Sequence, residues 1–203
     1  MSGPPVARLV MLVSGNGSNL QAIIDACAQG RLDAEVVAVV SNTPTAFALE
    51  RARAAGIETV VANHAGRDRL DYDNELAYTV AAFNPNLVVL AGWSRVLTSA
   101  FLAHHTTINL HPAKPGTFRG LGAIEAAFEA WSQGLITQGG VMVHYVPDEG
   151  VDNGPVIGWE PVELKPGDTL DVYAERVHQV EHRLLIDCIA TVLARATATG
   201  SHP

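Results

Sequence analysis

The residues with the most chemical content fall in three short stretches. Ser14-Gly15-Asn16-Gly17-Ser18-Asn19 follows the apolar run Val10–Val13 and leads into a helix-period segment. Glycines at such a turn let the backbone approach an anion closely, and free N–H groups with the helix dipole favour phosphate. The stretch is not the dinucleotide fingerprint, because Leu20 stands at the third small position and Ser41-Asn42, not an acid, end the second strand. No Lys follows, so it is not a Walker loop either. It admits two readings, a purely structural turn or a monophosphate site. The second stretch is Ile108-Asn109-Leu110-His111-Pro112. Alternation along a strand puts Asn109 and His111 on one side, an amide able to hydrogen-bond an oxyanion beside an imidazole able to move a proton. A core histidine with a satisfied ring beside a backbone-bonded Asn fits the same pattern. The third, Asp148-Glu149-Gly150-Val151-Asp152-Asn153-Gly154-Pro155, is acidic and glycine-rich without EF-hand spacing. It reads as a solvated hairpin loop, a weak cation loop, or the source of a carboxylate folded against His111, and spacing does not decide. A carboxylate there would raise the ring above its reference pKa of ~6.5.

These stretches must be positioned by the elements around them. Val10–Val13, Val36–Val40, Thr59–Val61, Leu87–Leu90 and Thr107–Leu110 read as short buried strands. Between them lie helix-period segments. Leu20, Ile23, Ile24 and Cys27 end at Gly30, Phe47–Ala55 ends at Gly56, and Asp68–Phe83 closes on Asn84-Pro85. The rhythm predicts an α/β fold: an open, mostly parallel twisted sheet with right-handed crossovers and helices on both faces. Val141–Val146 alternates, with Met142 and His144 opposite Val141, Val143 and Tyr145. Together with Pro155–Trp159 it predicts late antiparallel strands. Asp168 reads as the N-cap of a long C-terminal helix reaching Ala190 or beyond, with Tyr173, Val177, Leu184 and Cys188 on its inner stripe. No linker or repeat interrupts the chain, which predicts a single domain over residues 1–203.

Composition excludes several classes of function. The 13 Lys and Arg against 21 Asp and Glu leave a net charge of −8, the wrong sign for coating nucleic acid. No apolar run approaches the ~18 residues of a membrane span, and the N-terminus lacks a signal-peptide pattern. Cys27 and Cys188 show no metal-ligand or redox spacing and read as free thiols of a reducing compartment. The expectation is a soluble cytoplasmic protein, a monomer or a homodimer, with no metal, no membrane and no nucleic-acid partner.

Five motifs occur together in order: Ser14-Gly-Asn-Gly-Ser-Asn-Leu-Gln-Ala-Ile, Leu90-Ala-Gly-Trp-Ser-Arg-Val-Leu, Asn109-Leu-His-Pro-Ala, Val143-His-Tyr-Val and Asp148-Glu-Gly-Val-Asp-Asn-Gly-Pro-Val-Ile. From about Arg8 to Leu193 the chain resembles the folate-dependent phosphoribosylglycinamide formyltransferase family of purine biosynthesis. The resemblance implies a Rossmann-like formyltransferase fold, its N-terminal half binding nucleotide and phosphate and its C-terminal half binding folate. It implies formyl transfer from 10-formyltetrahydrofolate, a co-substrate, to the amine of glycinamide ribonucleotide, with no metal. Asn109, His111 and Asp152 fall on the family's catalytic trio. Gly17, Ser18 and Asn19 fall on its phosphate contact and Glu181 on a ribose contact. Arg69, Ser94, Arg95, Val96 and Leu97, together with Asn109, fall on folate contacts. His144 lies in a motif near the site. The chain departs from the family pattern at Lys114, where most relatives have Leu, and at Gly122, where many have His. A formyltetrahydrofolate hydrolase, which shares the trio, and a catalytically silent folate- or nucleotide-binding module are the alternative readings.

Overall fold

The computed structural model describes residues 6–199, so the ends of the expected 1–203 domain lie outside the described residues. The first half runs β1 (Ala7–Val13), α1 (Ser18–Ala28), β2 (Ala34–Ser41), α2 (Phe47–Ala54), β3 (Glu58–Val61) and α3 (Arg69–Ala81). It continues with β4 (Leu87–Leu90), α4 (Ser99–Leu102), β5 (Thr107–His111) and α5 (Ala123–Ser132). The hairpin strands β6 (Gln138–Tyr145) and β7 (Val156–Glu163) and the helix α6 (Leu170–Thr199) complete it.

The strands form one sheet in the order β3-β2-β1-β4-β5-β6-β7, parallel through β5, with β6 and β7 antiparallel. The central strands are buried on both faces, which is why they read as unbroken apolar runs: every residue from Leu9 to Val13 is 0% exposed. Leu9, Met11 and Val13 point into the core covered by α1, α2, α5 and α6. Val10 and Leu12 point into a second core beneath α3 and α4. The strand order reverses between β1 and β4. Connections leave in opposite directions there, and a crevice opens at the carboxyl ends of those strands.

The expected doubly covered sheet, late antiparallel hairpin and long final helix are all present. Helix α6 begins at Leu170, however, and Val172 N–H donates to Thr169 Oγ1 at 3.3 Å, so Thr169 caps it rather than Asp168. Asp168 instead accepts two hydrogen bonds from the Arg176 guanidinium, at 2.8 and 3.0 Å, and one from Lys165 N–H at 2.7 Å. The Arg176 bonds hold its carboxyl down to about 2. Two helices, α4 and α5, fall in stretches to which the sequence pattern assigned no element. Among the described residues no helix is long and apolar enough to cross a membrane.

Candidate active site

A cavity of about 510 Å³ opens at the carboxyl ends of β1, β4 and β5. The Ser14–Asn19 turn forms one wall. Gly17 is the N-cap of α1 at φ 77°, with no side-chain cap on the helix, so the first N–H groups of α1 are left to the cavity. A Cβ on Gly17 would stand 2.6 Å from Ala48 Cβ and 2.8 Å from Ala48 Cα. The glycine is therefore demanded by the packing of α2 against the turn as well as by φ. Helix α2 also grips the turn by hydrogen bonds. Ala48 N–H donates to Gly15 O at 3.1 Å, and Arg51 donates to Asn16 O at 2.9 Å and Asn16 Oδ1 at 3.0 Å. From the far end of the chain α6 brings Glu181, 5% exposed, whose Oε2 accepts from Asn19 Nδ2 at 3.0 Å. Burial pushes the Glu181 carboxyl up, against the pull of Asn19 and His178.

The opposite wall is built around Asp152. This residue sits at φ 49°, a left-handed conformation that Asp tolerates, and its carboxylate turns inward from the β6–β7 loop. Oδ2 accepts from Gly120 N–H at 2.8 Å and faces His111 Nδ1 at 3.4 Å. Oδ1 accepts from Asn109 Nδ2 at 3.0 Å and faces His144 Nε2 at 3.5 Å. The hydrogen-bond partners assign the tautomers of both rings. His111 Nε2 lies 2.9 Å from the carbonyl oxygen of Phe118, so Nε2 carries the proton and Nδ1 presents a lone pair toward Asp152. His144 Nδ1 lies 2.8 Å from Tyr145 O, so its Nε2 accepts the second Asn109 amide hydrogen at 3.2 Å.

The expectation that Asp152 would lift His111 above its ordinary value fails. Burial lowers the ring, and the pull of the Asp152 charge and the Phe118 carbonyl does not overcome it. Burial pushes the Asp152 carboxyl up, but the charge that His144 or His111 carries when protonated, together with the Gly120 N–H, outweighs it and leaves the carboxyl below its usual range. The pair is thus a neutral imidazole facing an ionised carboxylate.

Between the walls runs the Ala91–Leu97 loop after β4. Ser94 N–H donates to Ser14 Oγ at 2.9 Å, which ties this loop to the glycine turn. Arg69, at the start of α3, reaches Val96 O at 3.3 Å and pairs with Glu149 at 3.0 Å.

A family model described as Formyl transferase matches residues 7–189. The chain belongs to the formyl transferase family. It is 43% identical to the phosphoribosylglycinamide formyltransferase of Schizosaccharomyces pombe, over 93% of this chain and 98% of that one. With the Escherichia coli enzyme of the same name it shares 42% identity, over 87% and 82% of the two chains. The crystal structure of the Bacillus halodurans phosphoribosylglycinamide formyltransferase superposes with a TM-score of 0.86 at 32% identity, covering 93% of this chain and 96% of that one.

In this formyl transferase Gly17, Ser18, Asn19, Ser94, Arg95, Val96, Leu97, Asn109, His111, Asp152 and Glu181 all line the one cavity. Arg69 does not line it; the residue reaches the site only through its bonds to Val96 and Glu149. His144 carries more of the geometry than its sequence context indicated, because it occupies one of Asn109's two amide hydrogens. Its alternation on the Met142 face of β6 was the available signal. The Asn109–His144 strand register that uses it was not.

Proposed function

We propose that this formyl transferase moves the formyl group of 10-formyltetrahydrofolate to the amine of N1-(5-phosphoribosyl)glycinamide, giving the N-formyl product and tetrahydrofolate in purine biosynthesis. The observation that carries the reading is Asp152. One carboxylate bonds the Asn109 amide and faces the His111 ring, within the same cavity as the uncapped start of α1. The ribonucleotide phosphate is assigned to Gly17, Ser18 and Asn19, where free N–H groups and the helix dipole favour an anion. Glu181 is assigned to the ribose hydroxyls, and Arg69 with Ser94, Arg95, Val96 and Leu97 to the folate.

The substrate amine attacks the formyl carbon, a C–N bond forms, and the carbonyl oxygen becomes an oxyanion. Asn109 turns one amide hydrogen to that oxygen, giving up its longer bond, the 3.2 Å contact with His144. Neutral His111 takes the ammonium proton at Nδ1, where Asp152 Oδ2 stands 3.4 Å away and stabilises the new imidazolium. The depressed ring value suits this step, because the base must be neutral before it accepts. As the oxyanion collapses, the bond to the folate nitrogen breaks and that nitrogen receives the proton from His111. The scheme needs no metal ion and no covalent enzyme intermediate. The net charge of −8 supports small-molecule partners over nucleic acid. A single domain acting in the cytoplasm as a monomer or homodimer is the setting assigned to it.

Tetrahydrofolate release from 10-formyltetrahydrofolate, followed with and without the ribonucleotide, tests the reading. Release that requires the ribonucleotide is expected. Release without it means a hydrolase, and no release means a binding module.

A further inference from the structure

We propose that Asp73 is a positioning residue for the formyl donor, acting through the loop between β4 and α4; the proposal rests on the assignment of Ser94–Leu97 to the folate. Asp73 lies on α3 outside the cavity, and its side chain is 0% exposed. Oδ2 accepts a 2.6 Å hydrogen bond from the backbone N–H of Thr98, while Oδ1 has no partner. Enclosing a half-satisfied carboxylate is costly, and removing it would leave the buried Thr98 N–H without its acceptor. What the carboxylate achieves is to hold one backbone amide in place.

That amide ends the segment that most needs holding. Residues 91–98 form neither helix nor strand, so their course must be imposed from outside. Ser94 is tied to Ser14 through its N–H and to Asn42 through its hydroxyl, at 2.9 and 3.2 Å. The Arg95 guanidinium lies 4.9 Å from the centroid of the Tyr72 ring, and Tyr72 is itself anchored by a 2.9 Å bond to Ala62 O. The neighbours Tyr72 and Asp73 therefore grip Arg95 and Thr98, and the backbone of 96 and 97 is stretched between these two holds. Thr98 is also the N-cap of α4, without a side-chain cap of its own, so Asp73 sets where that helix begins.

Substitution should therefore register more on the donor than on the acceptor. Hydrogen bonds to charged groups are roughly twice as strong as neutral ones, so Asp73→Asn, which keeps the shape and one acceptor, should raise KM for 10-formyltetrahydrofolate about 5–10-fold. Asp73→Ala should raise it about 10–100-fold by the same reasoning. KM for the ribonucleotide and kcat should change less than the donor KM, since the loop meets the ribonucleotide wall through Ser94, four residues before Thr98, and the Asp152 centre is built from other elements. Hydrogen exchange at the Thr98 amide should accelerate in both variants, more in the alanine one. If Asp73→Ala fails to fold, Asp73→Asn decides. An unchanged donor KM in Asp73→Asn, equal rises in both KM values, or unchanged Thr98 exchange would each overturn the proposal. Wild-type protein that releases no tetrahydrofolate would instead overturn the assigned reaction. The exchange measurement would still judge the hold on Thr98.

Discussion

Replacing Asp152 by Asn tests the chemistry most directly. The substitution removes the charge that faces His111 Nδ1 at 3.4 Å, between side chains only 5% and 8% exposed. Unit charges at that distance attract by roughly 5 kcal/mol at an effective dielectric near 20, and by roughly 1 kcal/mol in water. With about 1.36 kcal/mol per tenfold in rate, the loss of imidazolium stabilisation should cut kcat by about 10²–10³-fold. The variant is not electrically silent elsewhere. Asp152 receives donors on both oxygens, Asn109 Nδ2 and Gly120 N–H, so the new amide must point its NH2 at one of them. That mismatch should cost about 1–3 kcal/mol of folding stability. The ring itself supplies an independent readout. Burial already holds His111 below its ordinary value, and Asp152 is the main pull upward. Removing it should lower the ring's NMR titration midpoint further. His111→Ala should lose about 10²–10⁴-fold in kcat, and the double variant should be scarcely worse than the poorer single one. A kcat within threefold of wild type, a midpoint that rises, or additive losses would refute the shared role of the pair.

Four further outcomes follow from the geometry. Gly17→Ala puts a Cβ 2.6 Å from Ala48 Cβ at φ 77°, so stability should fall by at least about 1–2 kcal/mol, with KM rising more for the ribonucleotide than for the folate; an unchanged Tm would refute this packing argument. Gly122→His has room, its nearest neighbour being Glu125 Oε2 at 3.9 Å, but not the backbone, because φ is 75°. A loss of about 1–2 kcal/mol in denaturant unfolding is expected, and a variant as stable as wild type would show that the loop does not depend on glycine. Glu149→Gln breaks an ion pair whose side chains are each 46% exposed, so stability should change by less than about 1 kcal/mol. The freed Arg69 should lower KM for the folate, and a rise would count against its assigned role. Asp168 titrates near 2 in the fold against 3.8 ordinarily, so its contribution is complete above about 4 and fades as pH falls through about 2. The Tm gap between wild type and Asp168→Asn should therefore close over that interval, and a constant gap would assign the effect to something other than the charge.

The periodic elements were legible in the chain because burial writes itself into residue type. Leu87–Leu90 reads as a strand since all four side chains are enclosed, and α3 reads as a helix since Tyr72, Leu76 and Val80 share a face beneath a capping Asp68. Helix α5 escaped for the opposite reason. Ile124, Ala127, Phe128 and Trp131 recur at i, i+3, i+4 and i+7 and pack against the core, but the stripe spans under three turns and most of its side chains stay half-exposed; α4 is four residues long, too short to show a period. Asp168 reads as a cap because Asp and Thr169 are both good caps in adjacent positions, and the choice falls to Arg176, nearly two turns into the helix.

The candidate site divides in the same way. The types and order of Asn109, His111 and Asp152 follow from sequence, as does the strand alternation that places the first two together. Their partners do not. The Phe118 carbonyl that fixes the His111 tautomer and the His144 nitrogen that occupies Asn109 depend on a loop course and a strand register, and neither is encoded in local spacing. The direction of the His111 shift is likewise tertiary. A carboxylate beside an imidazole raises it in any chain, but how much water the fold removes from the ring is a property of everything packed around it, and here that loss outweighs the charge.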